Sequence, residues 1–332
     1  MTMAAVPLWR QIQRENFTDW RALLAFLELD GPQAEQIVLP RSKFSLNIPR
    51  RLAQKMVKGD WEDPLLRQFL PTLKEQEVSP LFLLDPVRDQ EVRKAPKLLH
   101  KYYGRALLVT TGACAMHCRY CFRQHFDYAT SDKMFEEELQ EIANTPSLSE
   151  VLLSGGDPLS LSNANLQALL EGLDQIPHIK RLRFHTRFPI GIPERIDTGF
   201  LELLASLKSQ VVFVVHCNHP SELDEEIFIR LKRIQQLGIP LLSQAVLLKG
   251  VNDDVETLAK LFMLQVDHGI IPYHLHQLDR VQGAAHFEVT KEEGRRLMAE
   301  LELKVPGYAL PKYVQDIPGK AHKTQITSDL TS

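Results

Sequence analysis

From residue 105 onward the chain repeats one pattern, a short apolar run followed by a longer stretch whose apolar residues have helical spacing. The runs cover 106–111, 150–154, 181–186, 211–216, 240–248 and 272–278, and the helical stretches cover 135–144, 163–173, 200–207, 222–237, 255–267 and 291–303. Six strands that alternate with helices imply parallel pairing, because each helix carries the chain back across the sheet in a right-handed crossover. The polar residues narrow the choice further. Ser154-Gly155-Gly156-Asp157, His185-Thr186-Arg187, His216-Cys217-Asn218-His219 and Asp279-Arg280 all fall at the carboxyl ends of these runs. A βα barrel draws its chemistry from the ends of several strands, whereas a doubly wound open sheet collects it at one switch point. The expected architecture is α/β, a partial (β/α)6 TIM-like barrel over residues 101–332.

The first hundred residues read differently. Residues 17–29 have helical spacing, and 61–83 is broken by Pro64, Pro71 and Pro80. Residues 1–100 are therefore expected to form an N-terminal helical cap. A formal charge of -3 leaves no basic stripe of the kind that follows nucleic acid. No apolar run reaches the roughly 20 residues of a membrane span, and Trp9, Arg10, Gln11, Gln13, Arg14 and Glu15 interrupt any apolar leader. The expectation is a cytoplasmic protein with neither nucleic acid nor membrane as partner.

Three of the four cysteines form Cys114-x3-Cys118-x2-Cys121, in the loop after the first barrel strand. A four-iron cluster takes one thiolate per iron, so three cysteines would leave one iron open to another ligand. The same positions share one face of a helix, but Ala115, Met116, His117, Arg119 and Tyr120 supply no polar face opposite them. Structural zinc with His125 as a fourth ligand has acceptable spacing and stays open. The tight spacing and the lack of a secretory signal argue against disulfides.

In this setting the motif resembles the cluster motif of the radical S-adenosylmethionine superfamily. The resemblance implies a [4Fe-4S] cluster on Cys114, Cys118 and Cys121, with S-adenosylmethionine on the free iron. It further implies that Tyr120 lies against the adenine, that Ser154, Gly155, Gly156 and Asp157 reach the cofactor's amino group, and that His216 and Gln244 contact the same ligand. On the residues alone, Tyr120 is equally a rim aromatic, the glycine pair a tight turn, and His216 and Gln244 polar groups at a barrel rim.

Cys118-Arg-Tyr-Cys-Phe-Arg123, His216-Cys-Asn-His-Pro220, Gln244-Ala-Val-Leu-Leu-Lys-Gly-Val-Asn252 and Asp279-x7-Phe287 together resemble lysine 2,3-aminomutases, isomerases within that superfamily. The match runs from about His100 to about Thr324, and it implies pyridoxal 5′-phosphate as a further cofactor. The family's Asp-x-Pro, glycine-rich stretch and Lys-Thr read here Asp316-Ile-Pro-Gly-Lys-Ala-His-Lys323-Thr324, so Lys323 corresponds to the Schiff-base lysine. The glycines after Gly319 are replaced, which leaves Lys320 as a rival. Lys101 and Tyr102 match phosphate-contact positions, and Arg187 is a further candidate for the phosphate. Arg123 matches the guanidinium that pairs with the amino acid carboxylate. Asp279 and Asp316 match two acids that receive the ε-ammonium of lysine and would repel an acidic side chain.

The reaction so implied interconverts free L-α-lysine and β-lysine through a 5′-deoxyadenosyl radical. A low-potential donor such as flavodoxin or ferredoxin would supply the electron. The compact length and the run from Leu278 to Phe287 resemble the bacterial enzymes that make (R)-β-lysine for elongation factor P, which a separate ligase attaches. Cys217 is the only other cysteine, so the zinc-binding carboxyl-terminal cysteines of catabolic relatives are not expected. Two other readings are a radical S-adenosylmethionine reaction without pyridoxal phosphate, and a zinc-stabilised binding module without catalysis.

Overall fold

The computed structural model describes residues 6–128 and 134–327. Their strands form one sheet whose spatial order follows the chain. β1 (Arg93–Ala95) and β2 (Leu98–Tyr102) enter as an antiparallel pair, and β2 is again antiparallel to the next strand, β3 (Arg105–Thr111). β4 (Glu150–Gly155), β5 (Arg181–Thr186), β6 (Gln210–His216), β7 (Leu241–Val246) and β8 (Ile271–His276) follow in parallel register from β3. β9 (Lys312–Gln315) continues parallel to β8, and β10 (Thr324–Gln325) returns antiparallel along β9. The first and last strands lie at opposite ends of the order, so the sheet is a partial barrel and not a closed one.

β3 to β8 coincide with the runs expected from the sequence. β6 illustrates the cause: Val211, Phe213, Val214 and Val215 are buried, the near-continuous apolar pattern of a parallel strand covered on both faces. The helix Glu136–Ala143 has no side-chain cap, but the other crossover helices start where an acid or hydroxyl can accept a free N–H of the first turn. Ser162, Asp197, Asp224, Asp254 and Thr290 cap the helices Asn163–Asp174, Thr198–Ser206, Glu225–Gln235, Val255–Asp267 and Lys291–Glu302. Each such cap contributes about 1 kcal/mol. The first of these helices buries Leu166, Leu169, Leu170 and Leu173, one stripe at i, i+3, i+4 and i+7. Among the described residues no helix is long and apolar enough to cross a membrane.

The structure adds four strands that the sequence reading did not anticipate, β1, β2, β9 and β10. They span three, five, four and two residues, too short for alternation to register against their neighbours. The helical part of the N-terminal region therefore ends before Arg93. Its short helices, among them Leu8–Gln13, Trp20–Phe26, Arg50–Gln54 and Pro64–Phe69, bury Trp9, Leu23, Leu52 and Phe69 in the same apolar cluster as Leu108, Leu153, Phe184 and Phe213 of the strands. β10 matters more than its length suggests. Its pairing of Thr324 with Gln315 folds the tail back, so that Lys323 faces Asp316.

Candidate active site

A cavity opens at the carboxyl ends of the parallel strands. Its wall carries the residues assigned from the sequence to cluster, cofactors and substrate: Cys114, Cys118, Cys121, Tyr120, Arg123, Ser154, Gly155, Gly156, Asp157, Arg187, His216, Gln244, Lys101, Tyr102, Asp279, Asp316 and Lys323. Asp89, Tyr128 and His276 share that wall and were missed, and His185, named from the sequence only as a strand-end residue, shares it too. His185 and His276 carried a signal, their place toward the ends of expected strands; Asp89 opens a short 3-10 helix, Asp89–Val92, that the sequence did not mark.

The cysteine loop is held from two sides. From the N-terminal region, Asn16 Nδ2 donates to Ala115 O at 2.8 Å and Asn47 Nδ2 to Cys114 O at 3.2 Å, while the backbone N–H of His117 and of Arg119 donate to Asn47 O and Gln68 O. The fully buried Arg119 pairs with Glu75 and donates to Phe44 O at 2.6 Å. From the barrel, Gly156 N and Asp157 N donate to Thr111 O and Ala113 O at 2.7 and 2.9 Å. This contact explains both glycines. Gly155 has φ +105, and a Cβ on Gly156 would lie 2.5 Å from Ala113 O. The pair thus serves the approach of one loop to the next.

The three thiols fit an iron cluster on chemical grounds. Burial raises the pKa of Cys114 and Cys121, the latter to about 11, and the neighbouring cysteines add to both shifts. Mutually repelling thiolates, each only partly exposed, need a cationic centre, and iron supplies one. His125, the fourth ligand of the zinc reading, is exposed and turned to Gln282 O at 3.1 Å.

Two residues are held otherwise than the sequence reading expected. Asp157 has both oxygens occupied: Oδ1 accepts from Leu159 N and Thr186 Oγ1, and Oδ2 from Arg187 N and Phe188 N, all within 3.0 Å. It ties the ends of β4 and β5 together and has no oxygen to spare for an amino group. Arg187 is buried with its guanidinium on Cys118 Sγ, Tyr120 OH, Gln68 and Glu222, away from Lys101 and Tyr102. Tyr120 also receives Asn218 Nδ2 at 2.7 Å, so its ring is anchored through its hydroxyl.

At the other end of the cavity Asp316 is the shared acceptor. Lys101 Nζ pairs with Oδ1, while Tyr102 OH and Lys323 Nζ reach Oδ2 at 2.9 and 3.3 Å. Lys323 lines the cavity half-buried, whereas Lys320 is exposed and outside it. The carboxyl of Asp316 is held below its ordinary pKa despite burial, chiefly by Lys323 and Lys101. That of Asp279 is pushed up to about 7, first by burial. Arg123 is 7% exposed and donates through Nε to Asp89 at 2.8 Å. His216 Nε2 meets Gln244 Nε2 at 2.6 Å across β6 and β7, and burial lowers its pKa to about 3. His185 Nε2 and His276 Nε2 are buried without a partner, polar atoms suited to a polar ligand in the cavity. An amine, a carboxylate hub and neutral imidazoles around one cavity fit pyridoxal phosphate and an amino acid.

Residues 108–262 match the family model described as the radical SAM superfamily. A crystal structure of SuiB from Streptococcus suis bound to S-adenosylmethionine shares the fold, with a TM-score of 0.50 and 15% identity over 65% of this chain and 51% of that one. The partial barrel and its three-cysteine loop thus lie within a radical SAM domain that spans residues 108–262. The L-lysine 2,3-aminomutase of Escherichia coli (strain K12) is 43% identical over 328 residues, 97% of this chain and 95% of that enzyme. The L-lysine 2,3-aminomutase of Haemophilus influenzae is 39% identical over 95% of this chain and 94% of its own. The chain belongs to the L-lysine 2,3-aminomutase family.

Proposed function

We propose that the protein is a lysine 2,3-aminomutase that interconverts L-α-lysine and β-lysine. When bound, the four-iron cluster with S-adenosylmethionine supplies hydrogen-abstracting radical chemistry, and pyridoxal phosphate supplies a π-system that tolerates an unpaired electron. Cys114, Cys118 and Cys121 would hold three irons, and Tyr120, Ser154, Gly155, Gly156, His216 and Gln244 would frame the nucleotide cofactor. Lys323 would offer its amine to the aldehyde, with Lys101 and Tyr102 near the phosphate. Asp157 and Arg187 act in this reading as framework, since both carboxylate oxygens of the one and both terminal guanidinium nitrogens of the other are already engaged.

The chain's own residues account for substrate choice. Asp89 engages Nε of Arg123, which leaves the terminal guanidinium nitrogens for a carboxylate. Asp316 accepts from the ammonium groups of Lys101 and Lys323, and when the amine of Lys323 is taken up by the aldehyde its place on Oδ2 would pass to the ammonium of substrate. Asp279 gains from that cation, which would lower the cost of its own ionisation. The observation that carries the reading is this pairing of two acids and a tail lysine in the same cavity as the cysteine triad.

The same proposal includes the finer expectations. The product is (R)-β-lysine, destined for elongation factor P through its separate ligase, and the electron comes from a flavodoxin- or ferredoxin-type donor in the cytoplasm. Residues 1–100 brace the cluster loop, and 101–332 carry the chemistry. The test is reduction with borohydride after loading with pyridoxal phosphate, followed by peptide mapping. A stable adduct on Lys323 is expected. An adduct on Lys320, or none, would contradict the reading.

A further inference from the structure

The guanidinium of Arg187 lies behind the cysteine loop with more partners than a structural strut needs. It is 6% exposed and stacks 4.9 Å over Phe69. One terminal nitrogen donates to Cys118 Sγ at 2.8 Å and to Tyr120 OH, while the other reaches Gln68 Oε1 and Glu222 Oε2, each at 2.7 Å. Glu222 is itself fully buried. Its second oxygen accepts from Asn218 N, His219 N and Gln68 Nε2 between 2.9 and 3.2 Å, so it cannot swing away from the arginine. The result is a fixed cation aiming an N–H at a cysteine sulfur, with a fixed anion behind it.

We propose that Arg187 sets the reduction potential of the iron–sulfur cluster through Cys118, and that Glu222 opposes it. The inference rests on the reading of Cys114, Cys118 and Cys121 as cluster ligands. The step concerned is the transfer of one electron from a low-potential donor to the oxidised cluster, with no bond made or broken. The added negative charge is shared by the ligand sulfurs. An N–H donor and a positive charge on one sulfur stabilise the reduced form and raise the potential. Both charges are buried, so solvent screens little of either and both effects are strong. A carboxylate behind the cation weakens its field and acts in the opposite sense. Arg187 is thus a positioning and tuning residue, with its terminal nitrogens held on Cys118, Tyr120, Gln68 and Glu222.

The test is a redox titration of the reconstituted proteins followed by electron paramagnetic resonance, with dithionite as reductant and with iron and sulfide measured on every sample. Arg187→Gln should move the midpoint to a more negative potential, with the ratio of reduced to oxidised cluster at fixed potential falling roughly tenfold, as expected for loss of a charged hydrogen bond. Glu222→Gln keeps the side-chain shape and should move the midpoint the other way. Midpoints that stay at the wild-type value in cluster-loaded variants, or that shift in the same direction, would overturn the proposal. If Arg187→Gln takes up no iron, Glu222→Gln decides alone: a rise supports the proposal and any other result refutes it. Wild-type protein that binds no four-iron cluster would refute the site reading itself, a failure the iron and sulfide values identify separately.

Discussion

Lys323 Nζ lies 3.3 Å from Asp316 Oδ2, an ion pair brought about by the return of β10 along β9. The side chain of Asp316 is only 13% exposed, and it also accepts from Lys101 and Tyr102. One carboxylate therefore fixes the tail lysine and both phosphate-contact candidates, so its loss should be felt at several points together.

Asp316→Asn should lower kcat/KM for lysine by roughly a hundredfold or more, since removing one partner of a buried ion pair costs about 3–5 kcal/mol. Retention of pyridoxal phosphate should weaken as well, while iron and sulfide content stays at the wild-type level. Steady-state kinetics combined with cofactor analysis checks this. Unchanged kinetics would remove Asp316 from the site.

Asp279 should impose a pH dependence. Burial pushes its carboxyl up to about 7, Lys323 pulls the other way, and Asp316 adds to the push. An ordinary aspartate ionises near 4. The substrate-free fold thus keeps a proton that the unfolded chain has lost. The resulting stability is fully present below about pH 4 and disappears as pH rises through 7. Binding of the lysine ammonium favours the ionised form, so KM for lysine should rise as pH falls below about 7. In Asp279→Asn both effects should vanish, and KM should be raised at every pH. Kinetics and thermal unfolding across pH 5 to 8 measure them; a wild-type inflection retained in the variant would contradict the assignment.

Gly156→Ala tests why the glycine pair is there. Its Cβ would lie 2.5 Å from Ala113 O and 2.8 Å from Thr111 O, both backbone atoms that cannot turn aside. Overpacking of this kind costs about 1–3 kcal/mol. Because the contact is with the cysteine loop, iron uptake should fall together with the melting temperature. A stable variant with full iron content would show that the loops do not depend on each other.

Glu75→Gln examines the bracing of the same loop from the N-terminal region. Arg119, between two of the cysteines, has a fully buried side chain, and Glu75 is its charge partner. The substitution leaves the cation without its counter-charge, at a cost of about 3–5 kcal/mol. Urea unfolding should register that loss, and cluster content should drop. Stability at the wild-type level would mean that Phe44 O and Ser42 Oγ suffice to hold Arg119.

The parallel strands were legible because their runs carry buried apolar residues, near-continuous over 211–215 and alternating over 181–186, and most of them end in chemistry-bearing residues. The edge strands were not, because pairs such as Thr324–Gln325 are fixed by their neighbours and not by their own pattern. The cysteines and Lys323 could be found from motif spacing, which is local. The partners of Arg187, namely Gln68, Cys118 and Glu222, lie 119, 69 and 35 residues away and converge only in the fold. The same holds for Asp89 beside Arg123, 34 residues apart. The partners of Asp157 were not legible because a strand-end carboxylate that caps its neighbour has the same sequence as one that meets a ligand.

The central claim is tested most directly by anaerobic incubation of the reconstituted protein with L-lysine, S-adenosylmethionine, pyridoxal phosphate and dithionite, followed by chiral analysis of the amino acids. The account predicts β-lysine in amounts exceeding the S-adenosylmethionine consumed, because that cofactor is regenerated at each turnover. Methionine and 5′-deoxyadenosine accumulating while lysine remains unchanged would contradict it.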